Sequence, residues 1–125
     1  MQPTQPKQVI WIASSLRDLQ GFPDSVQKVM GFAIFQAQCG SKHRQAKPFK
    51  VRAGGGVLEV VEDYDGDTYR VVYTVRFADE LYVLHSFQKK SKKGIKTPQH
   101  DVEIIEARLK TAAELHAERT KKKGK

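Results

Sequence analysis

Cysteine is nearly absent from this 125-residue chain, where Cys39 stands alone. An intrachain disulfide is therefore excluded, and a reducing, cytoplasmic setting is expected. Cys39 closes a helical pattern with no base implied beside it, so it reads as a packing residue. Long apolar runs are missing too. No stretch approaches the roughly 18 residues of a spanning helix, and the short apolar segment from Val9 to Ala13 is too brief for an export signal, so no membrane association is expected. His43, His85, His100 and His116 have neither i, i+4 spacing nor a cysteine partner, which leaves no zinc motif. No nucleophile elbow is present. Gly54-Gly55-Gly56 precedes a strand instead of a helix, so it reads as a flexible turn and not as a phosphate cradle. The acids from Glu62 to Asp67 lack the order of a calcium loop and are explained as a solvated turn at Asp65-Gly66. No metal and no cofactor are expected.

What is abundant is positive charge. The chain carries 22 Lys and Arg against 14 Asp and Glu, a formal net charge of +8, which points to an anionic partner. The charge is patterned. Basic residues gather at Lys42–Arg52, Lys89–Lys96 and Arg119–Lys125, while five acids fall within Glu59–Asp67.

The length suits one domain with one core. Residues 1–8 read as a loose lead-in, 9–118 as the folded domain and 119–125 as a basic, disordered tail. Val9–Ile12 is a buried strand. Ser14 or Ser15 caps a short helix ending before Gly21-Phe22-Pro23. Val26, Val29, Met30, Ala33 and Ala37 form one face of a second helix that opens at Pro23 and stops at Gly40. Ser41–Arg52 is a polar connector. A strand over Val57–Glu62 leads through the acidic turn into a hairpin of Tyr69–Phe77 and Leu81–Phe87. Thr97 caps a last helix with Pro98 in its first position and an inner stripe of Val102, Ile105, Leu109, Ala112 and His116. The order β-α-α-β-β-β-α predicts a small α+β domain with a mainly antiparallel sheet of three or four strands, packed against N-terminal helices and a C-terminal helix.

The hairpin is the informative stretch. Tyr69, Val71, Tyr73, Val75 and Phe77 alternate with Arg70, Val72, Thr74 and Arg76, so one face suits a core and the other aims two guanidinium groups outward. The second run delivers Lys89, Lys90, Lys92 and Lys93. Arginine forks and clustered lysines suit phosphodiesters. Cleaving RNA without metal needs a base for the 2′-OH proton, cations for the charged phosphorus and a proton for the leaving 5′ oxygen. Clustered lysines lower one another's pKa, and arginine grips two phosphate oxygens at once.

Gly66 to Tyr73, Tyr82 to His85, the run Phe87 to Lys93 and the Thr97-Pro98 step resemble the phage-derived Gp49-like, HigB-like branch of the RelE toxin superfamily. Leu19 to Pro23 and Ala46-Lys47-Pro48 resemble it as well. The resemblance runs from about Val9 to Leu115. It implies a RelE-like fold and a type II toxin that cuts mRNA on the ribosome, neutralised by a helix-turn-helix antitoxin of HigA type. It also implies that Arg70 is the phosphate-binding arginine and Lys90 the second catalytic cation. His85 is a candidate proton carrier, provided that its face is exposed. Lys47, Lys50, Arg52, Arg76, Lys89, Lys92 and Lys93 are the expected RNA-binding set. Glu59 and Glu62 stand where RelE carries lysines, and the late tyrosine of RelE has no counterpart. Two other readings are compatible with the residues: a ParE-like inhibitor of gyrase, and an RNA- or ribosome-binding module without catalysis.

Overall fold

The computed structural model describes residues 5–89 and 97–123, with side chains through Lys122. Its elements are β1 (Gln8–Trp11), α1 (Ser15–Gln20), α2 (Asp24–Gln38), β2 (Ala46–Pro48), β3 (Val57–Tyr64), β4 (Asp67–Thr74), β5 (Glu80–Lys89) and α3 (Gln99–Lys123). The five strands lie in the order β1-β5-β4-β3-β2. β1 runs parallel to β5 and every other pair is antiparallel. The α+β class is as expected, with one strand more than the three or four read from the sequence. That strand, β2, lies inside the polar connector. It is only three residues long, and its Lys47 and Pro48 are exposed, so it carries no alternation to detect.

Helices cover both faces. Val26, Met30, Ala33 and Ala37 of α2 pack with Val60, Val71, Tyr73, Leu81 and Val83. Ile105, Leu109 and Ala112 of α3 pack with Val57, Val72, Tyr82 and Leu84. Each fully buried aliphatic side chain contributes roughly 1.5–3 kcal/mol, so the α3 stripe is reason enough for the second face to close. β4 is consequently buried from Thr68 to Thr74. Tyr73 is a core residue, and burial pushes its hydroxyl pKa up to about 12.

The β3–β4 connection is a two-residue turn. Asp65 and Gly66 have φ of 50° and 86°, the left-handed pair of a type I′ hairpin. Their neighbours Tyr64 and Asp67 pair across it. A bulge interrupts the next hairpin, where Val72 faces His85 but Tyr73 faces Val83. Leu84 is the extra residue, and it reverses the alternation of β5. Before it, Leu81 and Val83 point to α2; after it, His85 and Phe87 point to α3.

Both boundaries differ from the sequence reading. Lys7 already donates its N–H to the Gln38 carbonyl at 2.8 Å, so the ordered chain starts inside the expected lead-in. α3 continues through Lys123. Arg119, expected in a disordered tail, donates to the carboxylate of Glu80, which is 1% exposed and also accepts from the Tyr82 hydroxyl at 2.7 Å. A buried carboxylate needs such a partner, and it holds the helix in register to that point. Cys39 ends α2 exposed to solvent and is not packed.

Candidate functional site

The register of the sheet gathers charged residues on the face covered by α3. Lys47 pairs with Glu59, Glu59 with Val72 and Val72 with His85, which makes one cross-sheet row. Arg70 stands in the next row, opposite Val61 and Phe87, and Lys89 in the row beyond, opposite Thr68. Side chains two positions apart along a strand share a face, so Arg70 is a diagonal neighbour of Glu59, His85 and Lys89. Diagonal neighbours stand about 7–8 Å apart, within reach of long side chains.

Arg70 does not face solvent as the alternation suggested. It is 5% exposed, on the sheet face that carries α3 and beside Thr97, which precedes that helix. Its Nη1 donates to Glu59 Oε1 at 2.9 Å and approaches the Thr97 hydroxyl at 3.5 Å. Thr97 thus turns towards Arg70, and the first helical bond of α3 runs from Val102 N–H to the Pro98 carbonyl at 3.0 Å. Glu59, which the sequence marked only as a departure from lysine, is 8% exposed. The ion pair sets the donors of a guanidinium beside a carboxylate acceptor.

His85 is 6% exposed, so the condition attached to its role as a proton carrier is not met. Its Nε2 lies 2.8 Å from Asp101 Oδ1, and Arg108 Nη1 lies 3.2 Å from Nδ1. An arginine can only donate, so Nδ1 must accept and Nε2 must carry the proton towards Asp101. Burial lowers the imidazole pKa, opposed by the hydrogen bond and charge of Asp101 and assisted by the charge of Arg108. The ring also stacks on Phe87, with centroids 4.7 Å apart. Arg108 further donates to the Leu84 carbonyl at 3.0 Å and the Ser14 hydroxyl at 3.3 Å, which ties α3 to β5 and the start of α1. Neither Asp101 nor Arg108 was singled out from the sequence, since nothing local to α3 distinguishes them from a solvated helix face.

β1 ends at the Trp11–Val83 pair, so beyond it the edge of β5 away from β4 is unpaired, and α1 packs against β5. A cleft of about 320 Å³ opens there, lined by Asp18, Phe22, His85, Ser86 and Gln88 among others.

The expected RNA-binding residues divide. Lys47 and Lys89 belong to the Arg70 face. Lys50 is exposed in the loop after β2. Arg52 and Arg76 line a separate groove of about 370 Å³ against Glu106 and Lys110 of α3. Arg76 donates there to the carbonyls of Gly55 at 2.6 Å and Ala53 at 3.2 Å. The glycine turn therefore grips this guanidinium; Gly56 has φ of 86°, and a Cβ on it would meet Arg76 at 3.3 Å. Lys90, Lys92 and Lys93 lie outside the described residues.

One group of metal-ligating type is present among the described residues: Asp79, Glu80 and His116, with ligand atoms within 4.8 Å of one another. Glu80 is already matched by Arg119 and Tyr82, and a cation there would have to displace a guanidinium. No helix of the described residues is long and apolar enough to cross a membrane.

The model of the family described as phage derived protein Gp49-like (DUF891) matches residues 17–110. No curated protein matches the sequence. Among solved structures, a chain of the RelBE2 toxin–antitoxin complex from Mycobacterium tuberculosis is similar, with a TM-score of 0.47 and 18% identity over 67% of this chain and 99% of that one.

Proposed function

Since this chain belongs to the phage-derived protein Gp49-like family, we propose that it is the toxin of a type II toxin–antitoxin module and a ribosome-dependent mRNA endoribonuclease. The observation that supports this most is the contact of Arg70 with Glu59 at 2.9 Å, with Lys89 diagonal to Arg70 on the same face. In the proposed reaction Glu59 takes the 2′-OH proton. The 2′ oxygen then bonds to phosphorus, and the bond to the 5′ oxygen breaks. Arg70 holds the phosphate oxygens as their charge grows. A lysine ammonium of the Lys89–Lys93 run, Lys90 by resemblance, donates the proton that the leaving oxygen needs. His85 acts as a positioning residue, fixed between Asp101 and Arg108. Lys47, Lys89, Lys92 and Lys93 anchor the RNA backbone. The same reading assigns a cytoplasmic site of action and a HigA-like helix-turn-helix antitoxin as partner.

A second reading, a ribosome- or RNA-binding module without catalysis, follows if Glu59 keeps Arg70 from the phosphate instead of sharing the reaction with it. Single-turnover incubation with ribosomes and a defined mRNA in EDTA, at magnesium sufficient to keep ribosomes intact, decides between them. Cleavage supports the nuclease, and retention without cleavage supports the binder. Inhibition of gyrase in a parallel supercoiling assay would move the chain to the ParE-like function.

A further inference from the structure

A hollow of about 590 Å³ lies on the α2 side of the molecule, away from the α3 face that carries Arg70. Lys28, Phe32 and Gln36 of α2 form one wall, and Lys42, His43 and Arg44 of the following loop form the other. Phe32 is 55% exposed, and Phe35, one helical turn further on, is 51% exposed. Phe32 lines the hollow and Phe35 stands beside it at i+3, an exposed phenyl ridge of the kind that marks an interaction surface on a small protein. The opposite wall is built firmly. His43 is buried and meets the Phe32 ring edge-on at 5.8 Å, and its Nδ1 accepts the Gln45 N–H at 3.1 Å. The Gln45 side chain donates to the Val61 carbonyl at 2.8 Å and to Glu62 at 2.9 Å. Little ordering is left for a ligand to impose.

We infer that this groove docks an acidic, amphipathic segment of a partner protein. Three cations line it and no carboxylate does, so the occupant must bring negative charge. The phenyl ridge calls for aliphatic side chains spaced as on one helix face. A nucleic acid would answer the charge, but a strand lying here would run over α2, with the sheet between it and Arg70. The densest run of carboxylates that a second copy of this chain could offer is the turn Asp63–Asp67, whose Asp63 and Asp67 are already engaged by Thr68 and Gln88. The inference is independent of the nuclease reading, because it uses none of the residues on the α3 face.

The test uses the full chain and a fluorescein-labelled helical peptide of leucine and glutamate, with leucines at i, i+3, i+4 and i+7. Anisotropy should show binding that weakens with salt. Phe32→Ser, Phe35→Ser and the pair Lys42→Glu with Arg44→Glu should each weaken it about tenfold or more, with each variant still folding cooperatively, since the phenyl rings are half exposed and the two cations exposed. A peptide of the same composition with its leucines scattered should bind about tenfold more weakly. Absence of binding to the wild-type chain, or binding untouched by the variants, would overturn the inference. Oligouridylate binding that is lost in Phe32→Ser would assign the groove to RNA instead. Sedimentation showing a wild-type dimer that Phe32→Ser dissociates would assign it to a second copy.

Discussion

Arg70 and Glu59 do not face each other in the sheet, yet their side chains meet at 2.9 Å, because Glu59 sits two residues along β3 from the Val61 that opposes Arg70. Both are nearly buried, which makes the contact costly to break from one side. Arg70→Met or Glu59→Ala alone should lose about 3–5 kcal/mol of stability, and the double variant should recover most of it. Urea unfolding of the four proteins measures this. Additive losses would show that the two residues do not depend on each other.

On ribosomes, Arg70→Lys should leave binding within a few-fold and slow cleavage about 10²–10³-fold, since lysine keeps the charge but loses the planar fork. Lys89→Ala should act on binding, lowering its salt slope by about one charge. Glu59→Gln should slow cleavage about 10²–10⁴-fold with ribosome binding kept. Single-turnover rates at saturating ribosome read all three, and equal loss of binding and cleavage in Arg70→Lys would remove the transition-state role.

His85 ties stability to pH. Its pKa is 6.5 when unfolded and lower when folded, mainly through burial. Below pH 6.5 the unfolded chain therefore binds the extra proton first. Stability from this group is complete above that pH and falls as acid is added, by at most about 1.4 kcal/mol per pH unit, until the folded ring protonates. The difference in unfolding free energy between wild type and His85→Gln, taken at pH 8 and again at pH 5.5, should shrink towards acid. A difference that grows towards acid would reverse the assignment.

Much of this was legible in the residues. The α3 stripe from Val102 to Ala112 and the Asp65-Gly66 turn follow from local rules and appear as expected. The burial of Arg70 was not legible. Alternation distinguishes two faces of a strand, but whether a helix returns to cover the second depends on a segment some thirty residues away. Leu84 hid in the same manner: a bulge adds a residue of ordinary β type, and only the pairing shows that His85 has changed sides. Arg119 looked like one charge in a basic tail because its partner, Glu80, lies 39 positions earlier.

Arg119 supplies a direct check of that reading. Arg119→Met should cost about 1–3 kcal/mol, because it takes a charged donor away from the buried Glu80 carboxylate. Arg119→Met with Glu80→Gln should restore part of it. Thermal unfolding decides, and an unchanged midpoint in the single variant would return residues 119–123 to the status of a passive tail.

The pairing of β1 with β5 sets an order of events during synthesis. Gln8 to Trp11 leave the ribosome first, but their hydrogen-bonding partners are Glu80 to Val83. At roughly 5–20 residues per second, on the order of 4–14 s pass before those partners are made. Through that interval the N-terminal strand has no place to go, and the nascent chain is a six-element fragment with an incomplete edge. The last strand to emerge thus completes the sheet and brings in His85, Phe87 and Lys89 together, so a chain broken off before residue 80 lacks the one strand that joins β1 to β4.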